Sequence, residues 1–319
     1  MTDLGFKIPE YKKIRVIVDT DAACEADDPY AIVQALLSPK LIVEGIVAEH
    51  FVEEGSTERS LNEIKTILKC MKLSVPAYAG QSGPLSCHDN GKSDDGKTDP
   101  EGNGNPDASQ NATDEISEGV HYIIKEALKD ATTPLYILGQ GAITNVAMAF
   151  RVCPKIIDRV RIIWIGTHGA GDVAAPFREF NAGNDVTAAN EVLTSGADIW
   201  LVPSDVYTTI SVGIAELKYK VEPCGEIGKH LFENLANYNL SESAFWTQGE
   251  SWSLGDSPAI AIAINPGCGR FITTTAPHIA EDTSSVSKPD NPVIRVYKDV
   301  DSRYILEDFY AKLRLFTQH

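Results

Sequence analysis

The sequence predicts an α/β fold: a mainly parallel central sheet flanked by helices. Short apolar runs alternate with longer amphipathic ones through residue 202. The alternation is that of strand–helix–strand units, which place helices on both faces of a parallel sheet. The most acidic turn of the chain, "DTDAACEADD" from Asp19 to Asp28, directly follows the first apolar run. In such folds ligands bind at the carboxyl ends of the strands, so that turn marks a candidate site.

Taken in order, apolar runs at 15–19, 41–47, 76–78, 135–138, 160–165 and 198–202 read as strands. They are rich in Val, Ile and Leu and are bounded by turn residues, as buried strands are. Segments 29–37, 57–71, 115–129, 143–151 and 186–194 carry apolar residues at helical spacing. Pro29 suits the start of a helix, where its missing N–H costs nothing. Residues 291–319 suggest a strand pair and a final helix. No repeat and no dividing linker is visible, so residues 1–319 are expected to form one domain. One segment, 86–114, is almost devoid of apolar residues: "SCHDNGKSDDGKTDPEGNGNPDASQNATD". It cannot bury a face and predicts a long polar loop, either a solvated insertion or a lid.

The chain has 319 residues, 43% hydrophobic and 23% charged, enough for a sizeable core. Its net charge of −17 argues against a nucleic-acid polymer or an anionic membrane as partner, and leaves a small neutral substrate open. No run of about 18 apolar residues suggests a membrane span. The opening "MTDLGFKIPEYKK" lacks the apolar core of a secretion signal. The six cysteines show no CxxC spacing and read as reduced thiols. A cytoplasmic location is therefore expected.

Clustered carboxylates repel and raise one another's pKa, so the acidic turn needs an explanation. Asp21, Asp27 and Asp28 could hold a hard cation, which favours several oxygen ligands. Alternatively, Val16–Asp21 fits the strand-Asp-x-Asp pattern of haloacid-dehalogenase-type phosphatases, with Asp19 as nucleophile. As a third reading, the acids cap the helix at Pro29, which accounts for one of them rather than for all. Cys24, inside the turn, reads as a small filler, because neighbouring carboxylates disfavour its thiolate.

Five segments, in order, resemble the nucleoside hydrolase family, ribohydrolases that cleave the N-glycosidic bond of nucleosides. Asp19-Thr20-Asp21 with Asp27-Asp28-Pro29-Tyr30-Ala31 matches its D-x-D and D-D-x-x-A pattern. "VPAYAGQSGPL", "GQGAITNVAMA", "REFNAGNDVTAANEVL" and "LGDSPAIA" are similar to its later signatures. The resemblance implies a nucleoside-hydrolase-like, open Rossmann-like fold and a homodimer or homotetramer. It implies a bound Ca²⁺ with Asp21, Asp28, Asp256 and the backbone carbonyl of Gln140 as ligands. Asp21 would also be the general base on the attacking water. Asp27 would hold a ribose hydroxyl, and Glu179 and Asn181 the remaining ones, the 5′-hydroxyl foremost; taken alone, Glu179 and Asn181 also read as loop solvation or as caps of the helix near Asp185.

The departures are specific. The turn from Asp21 to Asp27 is two residues longer than the family's and lacks its Pro-Gly. "AEHFVEE" stands where an asparagine is expected, and Gly255 replaces the histidine before Asp256. With that histidine missing, help for the leaving base falls to His50, His168, Glu250, Trp246 or Trp252; each could instead be structural. The function expected is Ca²⁺-dependent hydrolysis of a ribonucleoside or related N-riboside to ribose and free base. The alternatives are a non-catalytic sugar- or nucleoside-binding protein that keeps the metal site, and the phosphatase built on Asp19.

Overall fold

In the computed structural model, residues 5–85 and 116–318 are described; the polar segment expected at 86–114 lies outside them. The elements run β1 (Ile14–Thr20), α1 (Asp28–Leu37), β2 (Leu41–Ala48), α2 (Ser56–Met71), β3 (Ala77–Ala79), α3 (Glu118–Leu128), β4 (Leu135–Gly139), α4 (Thr144–Val152), β5 (Val160–Ile165), α5 (Phe180–Asn184), α6 (Val186–Thr194) and β6 (Asp198–Val202). There follow α7 (Ser204–Tyr207), β7 (Ser211–Gly213), α8 (Ile214–Lys220), α9 (Gly225–Asn239), β8 (Ser251–Ser253), α10 (Ser257–Ile264), β9 (Gly269–Thr275), β10 (His278–Ile279), β11 (Ser285–Val286), β12 (Val293–Val300) and α11 (Ser302–Thr317).

Eight strands form one sheet in the order β3-β2-β1-β4-β5-β6-β12-β9. All neighbours are parallel except β9 against β12. The strand pair expected near the C-terminus is corrected: residues 291–319 supply one strand, β12, whose antiparallel partner β9 lies earlier in the chain. β9 alternates no apolar face and is largely exposed at the sheet edge, so its sequence carried little strand signal.

The central strands are buried on both faces, which is why they are continuous apolar runs. In β1 the side chains alternate between two cores. Val16 and Val18 join the core beneath α1, α2, α9, α10 and α11, and Ile17 joins that beneath α3, α4 and α6.

The order of the sheet positions the site. From β1 the chain winds outward to β2 and β3; from β4 it winds the other way to β5 and β6. The direction reverses between β1 and β4, which pair so that Asp19 lies beside Gly139. A crevice opens outside the carboxyl ends of the strands at such a reversal. The acidic turn leaves β1 there, and the Gln140–Ile143 turn leaves β4 there.

Candidate active site

Two helices aim at this crevice. α1 starts at Asp28 and α10 at Ser257; each has an aspartate at its N-cap, Asp27 and Asp256, and a proline in its first turn. Neither N-cap side chain makes a capping bond. Both N-caps have α-helical backbone angles. Simple capping of α1 therefore does not account for Asp27. The two helices pack together, and their positive N-terminal ends favour negative charge there.

Asp27, Asp28 and Asp256 each bring a carboxylate oxygen within 4.8 Å of the others. Thr20 donates its hydroxyl to Asp28 Oδ1 and so orients that carboxylate from the strand. Asp21 lies outside this trio, yet its charge is felt by Asp256, and Asp21 in turn feels Asp28 and Asp27. Burial, followed by mutual repulsion, pushes Asp21 and Asp256 well above the usual carboxylate range. Burial pushes Asp27 up to about 6 and Asp28 to about 7. Among the described residues, no lysine or arginine relieves these four groups.

Unsatisfied atoms converge on the same place. Asp21 Oδ2 and both polar side-chain atoms of Gln140 are buried without a partner among the described residues. Such groups are costly unless a ligand or ion meets them. Gly141 allows the approach: a Cβ there would stand 3.3 Å from Asp21 Oδ1 and 3.1 Å from Glu49 Cβ. Ile143, at φ 65, is a β-branched residue in left-handed backbone, strain that the tight β4–α4 turn imposes. The donor set is all oxygen, the chemistry of a hard cation rather than of a soft one.

These groups form one end of a cavity of about 870 Å³. Glu179 and Asn181 line it from the loop after β5. The capping expected as an alternative for Glu179 is present as well: its Oε2 accepts from Ala182 N at 2.8 Å and its Oε1 from Asn181 N at 3.4 Å. Asn181 donates its Nδ2 to Ile165 O at 2.9 Å, which holds it to the end of β5. Tyr207 donates to Glu179 Oε1 at 2.9 Å. Burial, then the neighbouring Glu179 charge, keeps the Tyr207 phenol protonated.

The opposite wall is aromatic. Trp246, Trp252, Tyr238, Phe51, Phe177 and Phe180 line it. Tyr238 meets Trp252 edge-on at 5.6 Å and Trp246 at 6.4 Å. Trp252 lies on the small β7–β8 ribbon, opposite Val212, rather than on a helix. Cys24 lines the cavity too, and burial with the surrounding carboxylates pushes its thiol up.

The remaining candidates are placed elsewhere. His50 is buried behind the cavity wall, its Nε2 2.8 Å from Thr144 Oγ1, which donates onward to Asp185 Oδ2 at 2.8 Å. That chain puts the proton on Nε2, and burial lowers the His50 pKa to about 4. His168 has both ring nitrogens engaged, Nδ1 with Ser204 Oγ at 2.7 Å and Nε2 with Phe177 O at 2.9 Å. Neither histidine lines the cavity, nor does Glu250. Asp19, the nucleophile of the phosphatase reading, is fully buried and accepts from Asn145 Nδ2 at 2.8 Å. It too is absent from the cavity wall, so that reading is withdrawn. Tyr207, Tyr238, Phe51, Phe177 and Phe180 were not anticipated from the sequence. Their shared signal is only that each follows a strand end or lies on a helix packed over it.

The architecture and site thus define a doubly wound α/β fold that places a cluster of carboxylates in an aromatic-lined cavity. A family profile described as inosine-uridine preferring nucleoside hydrolase matches residues 16–306. The pyrimidine-specific ribonucleoside hydrolase RihB of Escherichia coli O157:H7 (strain EC4115 / EHEC) is 29% identical over 268 residues, 80% of each chain. Among solved structures, a purine-preferring ribonucleoside hydrolase from Gardnerella vaginalis superposes with a TM-score of 0.73 at 21% identity, covering 96% of this chain and 100% of that one. The plant nucleoside hydrolase PpNRh1 gives 0.73 at 21%, covering 94% and 99%. The chain belongs to the inosine-uridine preferring nucleoside hydrolase family. It is an N-glycosyl hydrolase of ribonucleosides, which removes the non-catalytic alternative.

Proposed function

We propose that this enzyme is Ca²⁺-dependent and splits a ribonucleoside or related N-riboside into ribose and free base. The observation that carries the metal reading is the meeting of Asp27, Asp28 and Asp256, whose carboxylate oxygens lie within 4.8 Å of one another, in the same cavity as the unpartnered Asp21 Oδ2. Asp28 and Asp256 would hold the ion, with Asp21 and the Gln140 carbonyl completing the protein's share. Asp27 lies close enough to serve the ion as well as a ribose hydroxyl. When bound, Ca²⁺ would offset the carboxylate repulsion and make water at its surface more acidic.

The protein's own groups do the rest. Asp21 takes the proton of the attacking water as general base. Asp27, Glu179 and Asn181 hold the sugar hydroxyls and so fix C1′ within reach of that water. The bond to the base loosens through an oxocarbenium-like transition state. Trp246 and Trp252 face the departing base. With His50 and His168 tied into the structure, the aromatic wall is the better supported source of leaving-group help.

The test is a screen of purine, pyrimidine and other N-ribosides for release of free ribose, with and without chelator. Release that chelator leaves untouched would remove the cation from the mechanism. The relatives bear pyrimidine-specific and purine-preferring names, so both base classes belong in the screen. We also propose a homodimer or homotetramer; light scattering that returns a 34.6 kDa monomer would count against it. The five described cysteines are unpaired, which supports a cytoplasmic setting.

A further inference from the structure

We propose that Tyr207 is a positioning residue for the sugar end of this site, acting through Glu179; the proposal rests on the reading of Glu179 as a ribose contact. Two observations carry it, one steric and one polar. A Cβ built on Gly255 would lie 3.2 Å from Tyr207 Cδ2 and 3.2 Å from Asp27 Oδ2. The Tyr207 ring therefore occupies the space into which any side chain at 255 would grow. At its far end the phenol donates to Glu179 Oε1 at 2.9 Å. One side chain thus spans the cavity from the loop before Asp256 to the carboxylate at the N-cap of α5.

Its own anchorage is firm. Tyr207 N donates to Pro203 O, and Ser204 N donates to Thr167 O beyond the end of β5. Ser253 Oγ donates to Tyr207 O at 3.3 Å, which ties α7 to the loop that carries Gly255. Glu179 has three protein donors: two backbone amides and this phenol. The amides hold the carboxylate as a helix cap whether or not a ligand is present. The phenol takes up a further lone pair of Oε1, and so sets which lone pairs are left for a sugar hydroxyl. Gly255 and Tyr207 are then one unit: the glycine makes room for the ring that orients Glu179.

The experiment uses Tyr207→Phe, which keeps the ring and removes the hydroxyl. Glu179 is read as a contact of the sugar's 5′-hydroxyl, so hydrolysis of adenosine and 5′-deoxyadenosine is measured, and binding of D-ribose and 5-deoxy-D-ribose is followed by calorimetry. A hydrogen bond to a charged group is worth about 10-fold or more. The expected result is a loss of that size in kcat/KM for adenosine and in affinity for D-ribose, with a clearly smaller loss for both 5-deoxy compounds and an unchanged melting temperature. Equal losses on the paired compounds, or no loss on any, would overturn the proposal. If the wild type hydrolyses no N-riboside yet the two sugars still separate it from the variant, the proposed function fails and the role of Tyr207 stands. A second arm tests the steric half. Gly255→Leu alone should lower kcat/KM, and adding Tyr207→Ala should cost less than the two single changes summed. Strict additivity would show that the two positions do not share space.

Discussion

The two ends of the cavity are built differently. The acidic end is assembled from the termini of central strands and two buried helices, and its Asp21, Asp28 and Asp256 are almost wholly shielded from solvent. The aromatic wall comes mostly from outlying pieces, α5, the end of α9, the β7–β8 ribbon and the turns around them, and it is partly open. Trp246 is 50% exposed, whereas Trp252 is 6% exposed. The difference shows where this fold holds chemistry and where it can vary. A carboxylate nest works only if several groups are held at fixed separations, which requires rigid elements. A wall that receives a flat ring needs shape and polarizability more than exact placement, and short segments suffice.

The largest expected effect breaks the acidic end. Asp21→Ala should remove nearly all turnover. Loss of a general base alone costs about 10²–10⁴-fold, and this residue also belongs to the proposed ion site. Asp256→Ala should be as severe and should also empty the site in elemental analysis. Retention of a tenth of wild-type activity by Asp21→Ala on any N-riboside would exclude it as the base.

The next effect is on stability and follows from charge. Asp27 and Asp28 titrate in the folded protein at about 6 and 7, above their ordinary 3.8, because burial disfavours the charged form. The folded state therefore binds more protons than the unfolded chain across that interval. Its ion-free stability should be greatest below about pH 4 as far as these groups are concerned, and should fall as pH rises through 6 and 7. A cation that offsets the repulsion reverses this, because ion binding strengthens as the carboxylates lose their protons. The melting temperature with Ca²⁺ minus that with chelator should thus widen from pH 5 to pH 8. A difference that stays constant would show that these carboxylates do not hold the ion.

The same contrast decides how much was legible beforehand. Strands β1 to β6 were readable to within about two residues; all but the short edge strand β3 lie inside the sheet and leave mainly apolar runs. Asp21, Asp27, Asp28 and Asp256 were readable because they stand in short motifs beside those runs. The later half was harder. α10, "SPAIAIAI", is buried all round and carries no helical face to detect. β9 is exposed at a sheet edge and carries no apolar face. Tyr207, Tyr238 and Phe51 reach the cavity from segments far apart in the chain, and no local spacing records that meeting. His50 and His168 show the converse. Their position after strands suggested the pocket, but which way a side chain points depends on partners such as Thr144, Ser204 and Phe177 O.

The smallest expected effect separates the two tryptophans of the aromatic end. Trp252 is buried on β8 and packs against Tyr238, so Trp252→Phe should lower stability by roughly 0.5–3 kcal/mol, the usual range for a packing change. Trp246 is half open, and Trp246→Phe should leave the melting temperature nearly unchanged. Its kinetic effect should nonetheless be visible. Phenylalanine keeps part of the stacking face, so the loss is at most the about 0.5–1.5 kcal/mol of an aromatic pair, a fall in kcat of up to roughly 10-fold. That fall should appear with a natural nucleoside, whose base leaves with difficulty, and should shrink with a nitrophenyl riboside, whose leaving group needs no help. Equal losses on the two substrates would mean that Trp246 positions the whole ligand rather than assisting departure. No loss on either would reduce this wall to packing and leave the carboxylate chemistry at the other end intact.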